Sequence, residues 1–542
     1  MRYSSVFLVA GLLTLACSAR QPAASTAGDT AAGQPRSGGQ LSVPIPLDPF
    51  DWDISYQGKT SPNDRGLALG YNGLLGFKSG PEVEYAETIL QPELAESWEV
   101  SGDGRTFTFS LRKSTRFANL PPVSGREFTS ADVKWTLEYR SRTGAFKDKG
   151  LPQGQVDYMF DGLIGVDTPD PYTAIVRFKD PFVPFVNYAA SRWNPMLPRE
   201  IYEQDGHLKD RIAGTGPYLL DSAASQKGSR WVWKKNSNYW DTGKPYLDEI
   251  RWLVVPSEGT GYAAFQTKQV DILNALAYPD FQDVSKANPG VPVYKYTETN
   301  AHLLQLSQAK PGPLTDLRVR RALALSVDRD EINRAVAGGE GLWAVPGAMV
   351  GFFSDAEARQ LERQDVEEAK RLLAEAGYGS GLDLDWPITR EENQANLTWY
   401  QLVQAQLKRA GVNVTFTTLD KESQRARRRK GDYDIDVLVS STGVLDADVD
   451  SNVYGRYIST SSQNYSRTND PELDALLKAS RQEVDPGKRR EVLRDISRRI
   501  VDQVWTIDLI YVPKWDVWQP RVKNYRPHFS DYASYRNAWV EQ

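Results

Sequence analysis

An α/β fold is what this sequence predicts, on three observations: short runs in which apolar and polar residues alternate, apolar stripes at helical spacing, and the mingling of both along the chain. The clearest alternation is Arg105–Arg112, where Phe107, Phe109 and Leu111 share a face. Asp103-Gly104 supplies a tight turn after Trp98 and Val100, which makes a hairpin. Ile250, Trp252 and Val254 alternate in the same way, Val270–Leu273 reads as a further short strand, and Trp231 and Trp233 alternate as core residues. Among the helices, Val319, Ala322, Leu323 and Val327 form one stripe, with Thr315 or Asp316 as cap and Arg318, Arg320 and Arg321 directed mostly away from it. Val366, Ala369, Leu372, Leu373 and Ala376 form a second stripe, ended by Gly377. A third runs through Val492, Leu493, Ile496, Ile500 and Val504, and no short internal repeat occurs.

The 542 residues are 40% hydrophobic and 25% charged, enough for two or three domains, and a net charge of -5 implies neither a nucleic-acid partner nor an acidic substrate. Residues 1–17 read as an export signal: Arg2 gives positive charge, Val6–Ala16 a short apolar run, and Cys17 follows. A bilayer span needs about 20 apolar residues, so this run is too short to be one. Leu13-Thr14-Leu15-Ala16-Cys17 resembles a lipobox, with Thr14 where leucine is usual, so Cys17 is expected to be acylated; the other reading is an ordinary secretory signal with an incidental cysteine. Cys17 is the single cysteine, which leaves no disulfide framework and no thiolate cage. Residues 18–40 are almost wholly Ala, Ser, Thr, Gly, Pro and Gln, a disordered tether of roughly 25 to 30 Å mean reach.

A series of motifs then follows in order. Leu90-Gln-Pro-Glu-Leu-Ala-Glu-Ser-Trp98 precedes Asp103-Gly104-Arg105 and Leu111-Arg112-Lys113; next come Phe128-Thr-Ser-Ala-Asp-Val133, Gly214-Thr-Gly-Pro-Tyr218 and Asn236-Ser-Asn-Tyr-Trp240. Asp316-Leu-Arg-Val-Arg-Arg-Ala-Leu323 with Asp328-Arg329, Glu368–Tyr378 and Gly431-Asp-Tyr-Asp434 complete the series. Singly these strings are weak, but their order over residues 41 to 530 resembles the extracellular solute-binding proteins of family 5, the dipeptide, oligopeptide and nickel type. Each string also has a local structural reason: a turn at Asp-Gly, and glycine backbone freedom followed by a fixed proline at Gly214–Pro217. The series therefore identifies the fold better than it identifies a pocket.

The resemblance implies a two-lobed fold like that of periplasmic binding proteins (class II, cluster C type), with an extra domain inserted in lobe one. Lobe one would comprise residues 41–67, 186–297 and 500–542, the extra domain 68–185, and lobe two 298–499. A solute would sit in the cleft and be buried by hinge closure. In peptide-binding relatives, a tryptophan and then an aspartate follow the Gly-Asp-Tyr-Asp run, the aspartate pairing with the peptide amino terminus. Here those positions read Ser440 and Gly443, and a small insertion brings Asp446 or Asp448 into register. The second pocket tryptophan falls near Lys421 or Glu422. Aromatics placed near the cleft are Tyr71, Tyr511 and Trp515, each either stacking on a solute or packing in a core.

Enzymatic motifs are scarce. His207, His302 and His528 are far apart, no HExxH or G-x-S-x-G string occurs, and Gly58-Lys59-Thr60 lacks the first glycine of a P-loop, with Asp53 in its place. The basic run Arg425–Lys430 reads as a solvated helix end. No cofactor, metal ligand set or catalytic residue is expected. The leading expectation is an extracytoplasmic, lipid-anchored, monomeric substrate-binding protein that delivers an oligopeptide or similar oligomer to the permease subunits of an ABC importer. An oligosaccharide ligand, a sensor or chaperone, and a surface hydrolase are the alternatives.

Overall fold

A computed structural model describes residues 34–541 apart from 50, 55–60, 152–153, 155, 391, 393, 439–447 and 531. Cys17, most of the expected tether and Asp446 lie outside the described residues. Strands and helices alternate through the chain, as the sequence patterns predict, and they gather into two bodies with separate apolar cores. One core draws on residues 41–272 and 522–540, the other on 304–512.

The first body is built on a four-stranded sheet in the order Gln40–Ile45, Glu249–Val254, Arg230–Lys235, Tyr218–Leu220. The Gln40–Ile45 strand pairs parallel to Glu249–Val254 and the rest are antiparallel. Ile250 and Trp252 are buried as their alternation requires, and Trp233 is fully buried while Trp231 is only partly so. Both rings meet Trp52 edge-on, at 6.0 and 5.8 Å, the arrangement ring quadrupoles prefer. The short strand expected at Val270–Leu273 begins at Ile272 and reaches Leu276, because Asp271 is drawn aside to accept bonds from Ser42 N–H and Arg521.

Beside it stands a second, antiparallel sheet, Ala95–Val100, Thr106–Leu111, Thr173–Phe178, Leu163–Asp170. The predicted hairpin is its first pair, with Trp98 opposite Phe109 and Val100 opposite Phe107. Gly104 turns it at φ +68°, a backbone angle that glycine adopts without Cβ strain. The Ser130–Ser141 helix, whose start is closed by reciprocal Thr129 and Asp132 bonds, packs on this sheet.

In the second body the helices Leu317–Ser326, Arg329–Ala337, Val366–Glu375 and Gln394–Arg409 surround parallel strands Leu382–Thr389 and Val412–Leu419. Asp316 caps the first of these through Arg318 N–H. Arg320 departs from expectation: it is buried, and its guanidinium donates to the carbonyls of Leu314, Thr315 and Gln503, tying the helix start to the chain ahead of Trp505. Arg428, in the run read as solvated, is likewise drawn inward onto Asp436.

The glycines of the Gly214-Thr-Gly216 turn serve a purpose other than unusual backbone angles. A Cβ on Gly214 would lie 2.2 Å from Gly70 O and one on Gly216 2.4 Å from Gly70 C, so the pair lets two stretches of backbone touch.

Candidate functional site

Two long strands, Val293–Leu306 and Thr506–Trp518, run antiparallel from one body into the other. At one end the second strand carries Ile272–Leu276; at the other the first carries Ile435–Leu438. Their register shifts between Thr297 and Ala301 and again before Leu303, interrupting the ladder midway between the two cores. A bulged ladder loses pairing locally and bends, so the break divides the strand pair into two regular stretches. Tyr511 lies opposite Ala301, buried, and its hydroxyl donates to Ala348 O at 3.0 Å, pinning the 344–350 loop to the strand. His302 sits in the same stretch against the Trp399 ring, at 5.5 Å. Burial, helped by the charge of Lys514, pushes its imidazole down to about 3.

The bodies meet again at a polar face. Helix Asp450–Tyr457 and the loop before it present Asp448 and Asp450, both buried. Arg489 binds both Asp448 oxygens at 2.6 and 3.1 Å, and Arg481 binds both Asp450 oxygens at 2.8 and 2.9 Å. Those pairs lie within the second body. From the first body, Asn187 Nδ2 donates to Asp448 at 2.8 Å, the Tyr188 hydroxyl to Asp450 at 2.6 Å, and Val183 N–H to Arg481 O at 2.9 Å. Arg481 also reaches Asp161 at 2.9 Å and lies over the Phe182 ring at 5.0 Å.

The electrostatics follow from that geometry. Burial alone would raise the Asp448 carboxyl, but the Arg489 charge and the bonds from Arg489, Asp450 N–H and Asn187 outweigh it and hold the group below its usual value. Burial and the neighbouring Asp450 push the Tyr188 hydroxyl well up.

Of the side chains the sequence put forward, Asp448 belongs to this polar face, with both oxygens engaged. Tyr71 lies in the first core with its ring against Gly214, and burial raises its hydroxyl. Trp515 lies in a smaller cluster, stacked on Phe281 at 4.9 Å and 8°. Tyr511 stands at the register break. The structure therefore brings Tyr511 and Asp448 to the boundary of the two bodies and places Tyr71 and Trp515 in apolar packing; Asp446 is outside the described residues. Sequence reasoning did not find Asn187, Tyr188, Asp161, Arg481 or Arg489. Only the acidic run Asp446–Asp450 signalled the face, since its partners in the first body are 261 and 262 positions away. Among the described residues no group of three or more His, Cys, Asp or Glu is placed to hold a metal ion.

Two separately cored bodies, joined by a pair of bulged strands and touching again at a polar face, define a two-lobed protein. The profile of bacterial extracellular solute-binding proteins, family 5 (middle region), matches residues 90–463. This chain belongs to that family. It is 28% identical over 479 residues to the dipeptide-binding protein of Escherichia coli K12, covering 84% of this chain and 86% of that one. Among solved structures it resembles the binding protein AgaA of A. tumefaciens R10 in complex with agropinic acid (25% identity, TM-score 0.78, covering 93% and 99%). It also has the fold of the oligopeptide-binding protein AppA of Bacillus subtilis in complex with a nonapeptide (20% identity, TM-score 0.78, covering 94% and 100%).

Proposed function

We propose that this chain is the substrate-binding component of an ABC importer, holding an oligopeptide or similar oligomer in the cleft and passing it to membrane permease subunits without chemical change. The observation that carries the reading is the pair of long strands with a register break between two independent cores, an architecture suited to closing on a guest. Family membership supports it, as does the dipeptide ligand in the printed name of the Escherichia coli relative.

In this reading lobe one is 41–67, 186–297 and 500–542, the extra domain 68–185, and lobe two 298–499. The two cores support the separation of lobe two from the rest, with residues 504–512 packing in the second core and Trp515 and Val517 in a smaller cluster. Solute contact falls to Tyr511 and Asp446, while Tyr71, Trp515 and Asp448 serve as scaffold. Cys17 carries the lipid that keeps a monomer at the outer face of the membrane; no helix among the described residues is long and apolar enough to cross it. Cys17→Ser should move the protein from the membrane fraction to the soluble extracytoplasmic one, and unchanged fractionation would remove the anchor from the account.

Native mass spectrometry of gently purified protein, followed by thermal unfolding with peptide and oligosaccharide libraries, tests the function. A co-purified peptide, or a peptide-specific rise in melting temperature with the peptide recovered intact, is expected. A response confined to oligosaccharides would replace the ligand class; cleaved peptide would make the chain a hydrolase; no ligand and no shift would count against import.

A further inference from the structure

The polar face between the lobes is built as a clasp. Lobe two assembles its two arginine–aspartate pairs without help, Arg481 with Asp450 and Arg489 with Asp448. When the lobes part, water can reach these pairs; when they meet, the pairs are stripped of it. Drying an ion pair is unfavourable unless the remaining acceptor sites find donors. Lobe one supplies them: Asn187 completes Asp448 and Tyr188 completes Asp450, while Asp161, itself about half exposed at 48%, takes the outer edge of Arg481. Apolar cover comes with them, since Phe182 and Tyr158 lie beside Arg481 and the Tyr158 ring packs against Gly455.

We propose, on the reading that the cleft takes up a solute, that these groups hold the lobes together in a large fraction of molecules before any solute arrives. Asn187, Tyr188 and Asp161 then set affinity through closure, as positioning residues, and not through solute contact. A protein whose closed form is already populated loses less of its intrinsic affinity to the closing step.

One backbone amide reports on the clasp directly. Val183 N–H is bonded to Arg481 O across the lobes, so its hydrogen exchange requires them to separate. The test measures exchange at Val183 in protein stripped of solute by unfolding and refolding, with the Thr106–Leu111 sheet amides as internal reference. Wild type should exchange at Val183 at least about tenfold more slowly than an open loop. Asp161→Asn/Asn187→Ala/Tyr188→Phe should exchange there about tenfold to a hundredfold faster than wild type, as expected for losing bonds to charged acceptors, with the sheet unchanged. An unprotected Val183 in wild type, or equal rates in wild type and variant, overturns the clasp. Should the sheet amides accelerate too, Asp161→Asn alone decides, because that half-exposed side chain is outside both cores: faster exchange confined to Val183 supports the clasp, and no change overturns it. The assay contains no solute, so its failure is separate from failure of the import reading.

Discussion

Two buried carboxylates, one beside each apolar core, are held in different ways. In lobe one, Glu93 is 1% exposed and both its oxygens are used, one accepting from Arg536 at 2.7 Å and the other from Asn72 at 3.1 Å. On the Thr506–Trp518 strand, beside the second core, Asp508 is 3% exposed, its Oδ1 has no hydrogen-bond partner among the described residues, and burial pushes the group up to about 6 despite the nearby Arg456 and the Thr506 hydroxyl. Gln305, on the neighbouring strand and the same sheet face, has neither amide atom bonded among the described residues. Partnering, and not burial as such, therefore decides which interior tolerates a charge. It also makes the paired long strands, which carry His302 and Asp508, a region whose stability follows pH.

The largest effect should come from breaking the partnered case. Arg536→Met leaves Glu93 charged and buried, and should cost about 3 to 5 kcal/mol in urea unfolding. A loss under about 1 kcal/mol would mean that Glu93 finds other donors. Next in size is Asp508→Asn. A carboxyl raised from 3.8 to about 6 favours folding fully below 3.8 and loses that contribution as pH rises through about 6, a difference of about 3 kcal/mol. The asparagine variant should therefore gain on wild type by about that much between pH 4 and pH 7, and parallel stability curves would contradict it.

His302, in the bulged stretch, works in the opposite direction. Its pKa is depressed from 6.5 to about 3, so its contribution is present above 6.5 and drains away as pH falls. At pH 5 wild type should have lost about 2 kcal/mol that His302→Gln does not lose. Because the two groups oppose each other between about pH 4 and 6.5, the wild-type profile should be flatter than either single variant. The smallest effect is a helix cap: Asp316→Ala removes the acceptor for Arg318 N–H and should cost about 1 kcal/mol at any pH from 6 to 8.

Local chemistry was legible in the sequence wherever the determining residues are near neighbours. Phe107, Phe109 and Leu111 alternate, Asp103-Gly104 turns, Asp316 caps, and each does so through contacts a few positions away. Arg320 and Arg428 were misjudged because a charged residue on a helix is outward by default, and only the fold brings up the carbonyls and the carboxylate that receive them. The same reason hid the clasp: Tyr188 and Asp450 carry no mutual signal along the chain, and closure alone makes them partners. Gly214 and Gly216 were recognised as special, but for backbone angle; the close approach of residue 70 is a tertiary fact.

Central to the proposed function is a guest held between lobes that close about the 297–303 register break. The direct measurement restores the solute identified by native mass spectrometry to stripped protein and maps amide exchange over the whole chain. Slower exchange on both faces at once, at Val183–Tyr188 and at Asp450–Tyr457, is the predicted result. Slowing in one lobe alone, or none anywhere, would contradict it.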